Sequence, residues 1–271
     1  MTPMTPINPM EQAGQAMTAF DWRTRGKAAL IHLAGSSVVA ALAAALVFTL
    51  WFPWPYRIVS GGTELFALLV SVDVALGPLV TFSIFDRRKA FAVLRRDLGV
   101  VVLLQLAALG YGMHTTFIAR PVVLALEGDR FRAVAALAVV ESELPKAPPA
   151  LQTLSLNGPR TVRAVIPTEG DEKFDAIQLG LAGIDVGMRP KFWRVWDDTG
   201  RREALASAKP LADLLKRLPS QRADVEAALA RAGRPVEAMV YLPLLARRTD
   251  WVVLLDAQSG DIAGFAPLDG Y

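Results

Sequence analysis

The sequence predicts a membrane α-helical protein: three transmembrane helices followed by a C-terminal periplasmic α+β domain. Three observations carry that reading. Apolar runs at about 28–52, 63–85 and 98–119 are each long enough, at about 1.5 Å per residue, to cross a hydrocarbon layer of roughly 30 Å. From residue 120 onward the pattern changes to short strand-like and helix-like segments punctuated by Gly and Pro. The whole chain of 271 residues is 53% hydrophobic with a mean hydropathy of +0.34, too apolar for an ordinary soluble protein of this length.

Residues 1–22 are rich in Met, Thr, Pro and Gln and show neither a helical nor a strand period, which predicts a disordered cytoplasmic tail. Residues 23–119 form the predicted anchor. Arg23, Arg25 and Lys27 stand directly before the first apolar run, a pattern shared with signal peptides. The run is too long for one, and it ends in Trp51-Phe52-Pro53-Trp54-Pro55 rather than a small-x-small cleavage site, so an uncleaved helix is expected. Trp51, Phe52, Trp54 and Tyr56 suit a membrane–water interface, and Pro53, Pro55, Gly61 and Gly62 turn the chain back. The tail and second loop carry 8 Lys/Arg against Arg57 alone in the first loop, which places the N-terminus in the cytoplasm and residues 120–271 in the periplasm of a bacterial inner membrane.

In the C-terminal region, PVVLALEGDRFRAV reads as two strands around a Gly128-Asp129 turn, and TVRAVIP as another strand. Leu211, Leu214, Leu215 and Leu218 recur at helical spacing between Pro210 and Pro219. Ser220 is a candidate cap for a further helix with apolar positions Val225, Ala228, Leu229 and Ala232 and a stop at Gly233. The segment from Ala238 to Tyr271 predicts three antiparallel strands with turns at Arg247-Arg248-Thr249 and Ser259-Gly260-Asp261. DDTGRRE is expected to be a solvated turn.

Charge and composition remove several function classes. The pI near 9.3 invites a nucleic-acid reading. However, residues 1–119 hold 9 Lys/Arg against 6 Asp/Glu and residues 120–271 hold 20 against 20, so the excess is topological and no nucleic-acid partner is expected. With no cysteine there is no disulfide, thiolate nucleophile or Cys-ligated metal. His32 and His114 fall near opposite ends of the membrane layer and cannot share a metal. The C-terminal region has no histidine, and GLAGIDVG lacks the strand-before, helix-after setting of a dinucleotide loop. Catalytic residues, metal and cofactor are therefore expected to be none.

The candidate site residues lie on the apolar runs. Asp73, Gly77 and Thr81 repeat every four residues, with Pro78 beside Gly77. Gln105, Ala108, Gly112 and Thr115 or Thr116 form a comparable stripe, and His32 and Ser36 align on the first run. A carboxylate at membrane depth costs about 2.5–3.5 kcal/mol on insertion scales, so Asp73 calls for a reason. From the cytoplasmic ends Asp73 lies about 18 Å deep and Gln105 about 10–12 Å, which makes them plausible but imperfect neighbours. Packing of the bundle is the first reading, docking of a partner helix the second, and ion transport the third. Intramembrane aspartyl proteolysis needs two carboxylates, and the apolar core of the runs offers Asp73 alone. Outside the membrane, Phe192, Trp193 and Trp196 form an aromatic concentration. Core packing is its first reading and a periplasmic partner contact its second.

SVDVALGPLVTFSIFD, LLQLAALGYGMHTTFIARPVVLALEGDRFRAV and YLPLLARRTDWVVLLDAQSGDIAGFAPLDGY together resemble the type IV pilin accessory proteins (TfpX/TfpZ-like), colinearly from about Lys27 to the C-terminus. The most specific pieces are D-x-x-L-G-P-L at Asp73–Leu79, A-R-P-V at Ala119–Val122, and the closing L-P-L-L and D-W-V-V-L-L-D segments. The family's ending is an aspartate-proline-aromatic triplet, whereas this chain ends Asp269-Gly270-Tyr271. The resemblance implies a non-enzymatic inner-membrane accessory or chaperone protein whose partners are the bilayer and a major type IV pilin, and it carries over no catalytic or binding residues. The alternative from another class is a membrane sensor or transport subunit whose periplasmic domain binds a small ligand. Neither reading sets an oligomeric state.

Overall fold

The computed structural model describes residues 21–218, 221, 225–226, 228–230 and 233–271. The predicted tail therefore lies outside the described residues apart from its last two positions, as do Pro219, the Ser220 cap and Ala232. The chain forms two compact units. One takes residues up to Ala40 together with Val70–Leu109; the other takes Ala41–Leu69 together with Gly110–Tyr271.

The helices at the start of the chain are divided between the two units. Helix α1, Trp22–Leu46, begins six residues before the apolar run because Asp21 caps it, its carboxylate accepting from the Thr24 backbone N–H at 3.1 Å. Past Leu46 the helix continues as a π turn, Val47–Trp51. A short helix α2, Tyr56–Val59, follows the prolines. The second apolar run is α3 (Gly62–Ser71), a π turn (Val72–Leu76) and α4 (Gly77–Ile84), and the third is α5, Phe91–Ala119. Trp22–Trp51 and Gly62–Ile84 are long and apolar enough to cross a membrane. Among the described residues these two spans, not three, meet that test, and α5 carries Arg95, Arg96 and Asp97 ahead of its apolar stretch.

The second unit is built on an eight-stranded mixed sheet with the order β4-β3-β1-β2-β6-β7-β8, and β5 paired to β6. The strands are β1 Pro121–Glu127, β2 Arg130–Ala135, β3 Arg160–Ala164, β4 Trp193–Val195, β5 Lys209–Pro210, β6 Met239–Leu245, β7 Val252–Asp256 and β8 Ile262–Ala266. The expected β1–β2 hairpin forms around Gly128, whose φ of 65° is the left-handed conformation such a tight turn asks for. The closing strands pair antiparallel, as expected. Two parallel pairings, β1 with β3 and β2 with β6, bring distant segments together and join the halves of the sheet. Every residue of β1 and of β7 is buried, which explains why both read as continuous apolar runs rather than alternating ones.

Helices α6 (Gly170–Leu181), α7 (Asp198–Ser207) and α8 (Leu211–Arg217) complete the unit. The expected solvated turn DDTGRRE is in fact the start of α7. The Asp197 carboxylate accepts from the backbone N–H groups of Thr199 and Gly200, both at 3.0 Å, and this cap turns a charged stretch into a helix. Leu211 and Leu214 of α8 pack with Val225, Ala228 and Leu229 against Met239, Tyr241 and Leu254.

The loop between the first two apolar runs also belongs to this unit. Tyr56 and Val59 sit in one core cluster with Leu124, Leu126, Phe131, Leu244 and Trp251. The Val59 carbonyl accepts from the Arg248 N–H at 3.0 Å and the Leu50 carbonyl from the Gly158 N–H at 2.8 Å. Phe52 and Tyr56, expected at a membrane interface, are buried here instead; Tyr56 joins the sheet core, which removes more of its apolar surface from water than an interface does.

Candidate functional site

In the first unit the motif Asp73–Leu79 has a backbone explanation. Pro78 has no N–H, so neither the residue four before it, Val74, nor the residue five before it, Asp73, can receive a hydrogen bond from that position. The helix widens into its π turn here, and Gln105 Nε2 on α5 donates to the Asp73 carbonyl at 3.1 Å. A side chain of one helix thereby satisfies a carbonyl that proline leaves unserved on another.

Gly77 makes that approach possible. A Cβ built there would run into the Gln105 side-chain amide and lie 3.0 Å from His32 Nε2. One turn later Thr81, 3% exposed, shares a 2.6 Å hydrogen bond with His32 Nδ1. Asp73, Gly77, Thr81, Gln105 and His32 are thus brought together, while Pro78 is buried behind them. The Asp73 side chain itself is half-buried, and among the described residues its Oδ1 is buried without a hydrogen-bond partner. Where α4 ends, Arg25 donates to the carbonyls of Ser83 at 2.6 Å and Phe82 at 3.3 Å and pairs with Asp86 at 3.3 Å. That satisfies helix-terminal carbonyls with a cation, where the helix dipole favours one.

Gly112 lies in the second unit and does not join this group. A Cβ there would collide with the side chain of Leu69, so Gly112 is a close-approach position of its own. Thr116, one turn on and 1% exposed, returns its hydroxyl to the Gly112 carbonyl at 2.8 Å.

The other motifs are structural joints of the second unit. Arg120 in Ala119–Val122 is buried where α5 hands over to β1. Its Nη1 donates to the Phe117 carbonyl at 2.7 Å, its Nε to the Ser155 carbonyl at 3.1 Å, and its guanidinium stacks 3.7 Å over the Phe117 ring. The L-P-L-L and D-W-V-V-L-L-D segments are β6 and β7 with the Trp251 turn between them. Trp251 meets Trp54 edge-on at 6.0 Å. Glu127 holds Arg132 through both oxygens at 2.9 Å and accepts from the Gly187 N–H at 2.8 Å, and Arg132 also pairs with Asp185.

Phe192 and Trp193 are 5% and 1% exposed, and Trp193 Nε1 donates to the Gly187 carbonyl at 2.8 Å. Their rings face the core and leave almost no surface for another molecule. Trp196 is partly buried, tilted against Phe131 with centroids 5.8 Å apart. Reading the sequence missed the roles of Arg25, Tyr56 and Arg120. The first two sit in segments that had a sufficient explanation already, as membrane flank and interface aromatic. Among the described residues no group of three or more His, Asp or Glu is placed to hold a metal.

Comparison with known proteins assigns the family. The family model described as fimbrial assembly protein FimB matches residues 20–61. A fimbrial assembly protein of serogroup I from Dichelobacter nodosus is 33% identical over 228 residues, covering 83% of this chain and 88% of the relative. The chain belongs to the fimbrial assembly protein family. A serogroup E1 relative from the same organism is 32% identical over the same coverage, and one from serogroups C1 and C2 is 38% identical over 117 residues, 43% of this chain and 89% of its own length. No solved structure matches the chain. The resemblance to type IV pilus accessory proteins therefore holds, and a role in fimbrial biogenesis comes with it. The aligned 228 residues exceed the length of either unit's share of the chain, so in this fimbrial assembly family the helices and the sheet are aligned together.

Proposed function

We propose that this chain is a non-catalytic inner-membrane factor that binds a major type IV pilin, protecting it and delivering it for pilus assembly. The observation that carries the reading is the one-third identity to fimbrial assembly proteins over 83% of the chain. Alongside the two apolar spans, α5 crosses as a third: its 98–119 portion has 22 residues without a charge, about 33 Å at the helical rise. Positive-inside counting then sets the N-terminus in the cytoplasm and the sheet in the periplasm.

The partner surface proposed is the face carrying Asp73. His32 and Thr81 bond each other and Gln105 serves the Asp73 backbone carbonyl, whereas among the described residues the Asp73 side-chain Oδ1 is left without a hydrogen-bond partner. A polar or cationic group on the apolar N-terminal helix of a pilin subunit suits it, because an unmatched carboxylate in hydrocarbon gains most from a partner. Pro78 shapes the helix that presents this face. In the periplasm Trp196 remains the aromatic candidate for contact with the pilin head, supported by its partial exposure.

The test is deletion of the gene, followed by immunoblotting of whole cells and sheared surface fractions for the major pilin. Pilin that is degraded or stranded in the membrane is the expected result. Normal pilin levels with normal piliation would overturn the reading. Complementation with Asp73→Leu separates the membrane face from the rest, since full rescue would remove Asp73 from the proposed contact.

A further inference from the structure

The first unit holds a cavity of about 460 Å³ beneath the basic flank of the apolar helices, lined by Thr24, Lys27 and Ile31 of α1, Arg87, and Leu98 and Val102 of α5. Its chemistry is split. Lys27 and Arg87 are exposed cations, while Ile31, Leu98 and Val102 make an apolar wall leading into the helices. The acids nearby are largely engaged. Asp86 pairs with Arg25 at 3.3 Å and Asp97 with Lys89 at 2.7 Å, and Asp21 accepts from the Thr24 backbone N–H. Among the described residues Lys27 and Arg87 have no ion-pair partner, although Arg87 stands close enough to Asp21 to favour its charged form.

Two cations set over an apolar slot match a phosphate attached to acyl chains. We propose that this cavity is a binding site for an anionic phospholipid of the cytoplasmic leaflet. The phosphate lies between Lys27 and Arg87, and an acyl chain runs along Ile31, Leu98 and Val102. Charge complementarity selects the occupant: basic pockets between membrane helices on the cytoplasmic side attract anionic headgroups, and a pilin helix offers no phosphate. The site rests on the membrane crossing of these helices and is independent of the pilin reading, so either can fail alone.

The experiment is lipid titration of the purified full chain in detergent, with phosphatidylglycerol and phosphatidylethanolamine as probes, read by native mass spectrometry. Two surface cations predict about a tenfold or greater preference for phosphatidylglycerol. Lys27→Gln with Arg87→Gln should bring the two lipids to within about twofold, whereas Lys173→Gln, on the sheet unit, should change nothing. If the double variant does not fold, the wild-type preference and its collapse in about 1 M salt still test the site, because salt shortens the reach of these charges. Equal retention of both lipids by the wild type, or an undiminished preference in a folded double variant, would overturn the proposal.

Discussion

Gly77 shows how much one missing Cβ decides. With Gln105 and His32 pressed against it, Gly77→Leu has no space to enter without parting α4 from α5. Overpacking of this kind costs about 1–3 kcal/mol, and here it also breaks the Gln105 bond to the Asp73 carbonyl. Thermal melting in detergent should show Gly77→Leu clearly below wild type, with Gly35→Leu, at a position open on all sides, close to it. Asp73 should behave in the opposite way. Its side chain has a buried oxygen without a partner, so Asp73→Asn should leave the melting temperature unchanged or raised while reducing surface pilin in the deletion strain. A large loss of stability in Asp73→Asn would assign the carboxylate to the bundle and remove it from the pilin face. Charge at this depth is costly enough that stability and function should separate cleanly.

At the scale of elements, caps and buried pairs fix where the segments of the sheet unit begin and dock. Asp197 starts α7. The Gly200 N–H bond is the chief reason its carboxyl lies below the ordinary aspartate range, and Asp256 is held down in the same way by Ser259 and Gln258. A folded-state value below the unfolded one means that these aspartates add stability above about pH 4 and lose it as pH falls through their lowered values. Urea denaturation between pH 6 and pH 3, an experimental range chosen around the reference aspartate value of about 3.9, should show stability dropping at the acid end. The drop should be smaller in Asp197→Asn, which keeps an acceptor but cannot titrate. The Glu143–Arg189 pair makes a second case. It joins the turn after β2 to the segment before β4 at 2.8 Å, with both side chains almost buried. Glu143→Ala should cost about 3–5 kcal/mol by stranding the guanidinium, and the double change Glu143→Leu with Arg189→Met should recover most of that. Glu143 Oε2 and Arg189 Nη1 have no further hydrogen bonds, so the pair is an incompletely satisfied one and an apolar replacement loses little.

At the scale of the molecule, the sheet unit takes in a piece of chain from between the two long apolar helices, Trp22–Trp51 and Gly62–Ile84. Tyr56 and Val59 complete the core under β1, β2, β6 and β7, and Glu64 and Arg248 pair at 2.9 Å beside them. A fragment cut at residue 120 loses both core side chains, so it should expose apolar surface and unfold at lower urea than the same unit within the full chain. In the full chain Tyr56→Ala should destabilise the sheet unit by about 3 kcal/mol, in the range of other aromatic truncations. Equal denaturation midpoints for wild type and Tyr56→Ala would mean that the loop only rests on the sheet.

By itself the sequence determined what depends on local composition and period. The apolar runs, their basic flank, the Gly128 hairpin, the closing antiparallel strands and the every-fourth spacing of Asp73, Gly77 and Thr81 follow from length, hydropathy and turn chemistry within a few residues. The family resemblance rested on the same short segments. Only the tertiary structure decided where those segments meet. That β3 lies parallel to β1, that β2 joins β6, that Trp193 points into the core, and that Tyr56 belongs to the sheet rather than to an interface are pairings between residues far apart in the chain. A side chain that suits a membrane surface suits a protein core equally well, because both withdraw apolar area from water, and the choice between them is made by whichever distant segment offers the closer packing. Gln105 serving the Asp73 carbonyl belongs with these. Pro78 announces the unserved acceptor in the sequence, but the donor is set by which helix comes close enough to supply it.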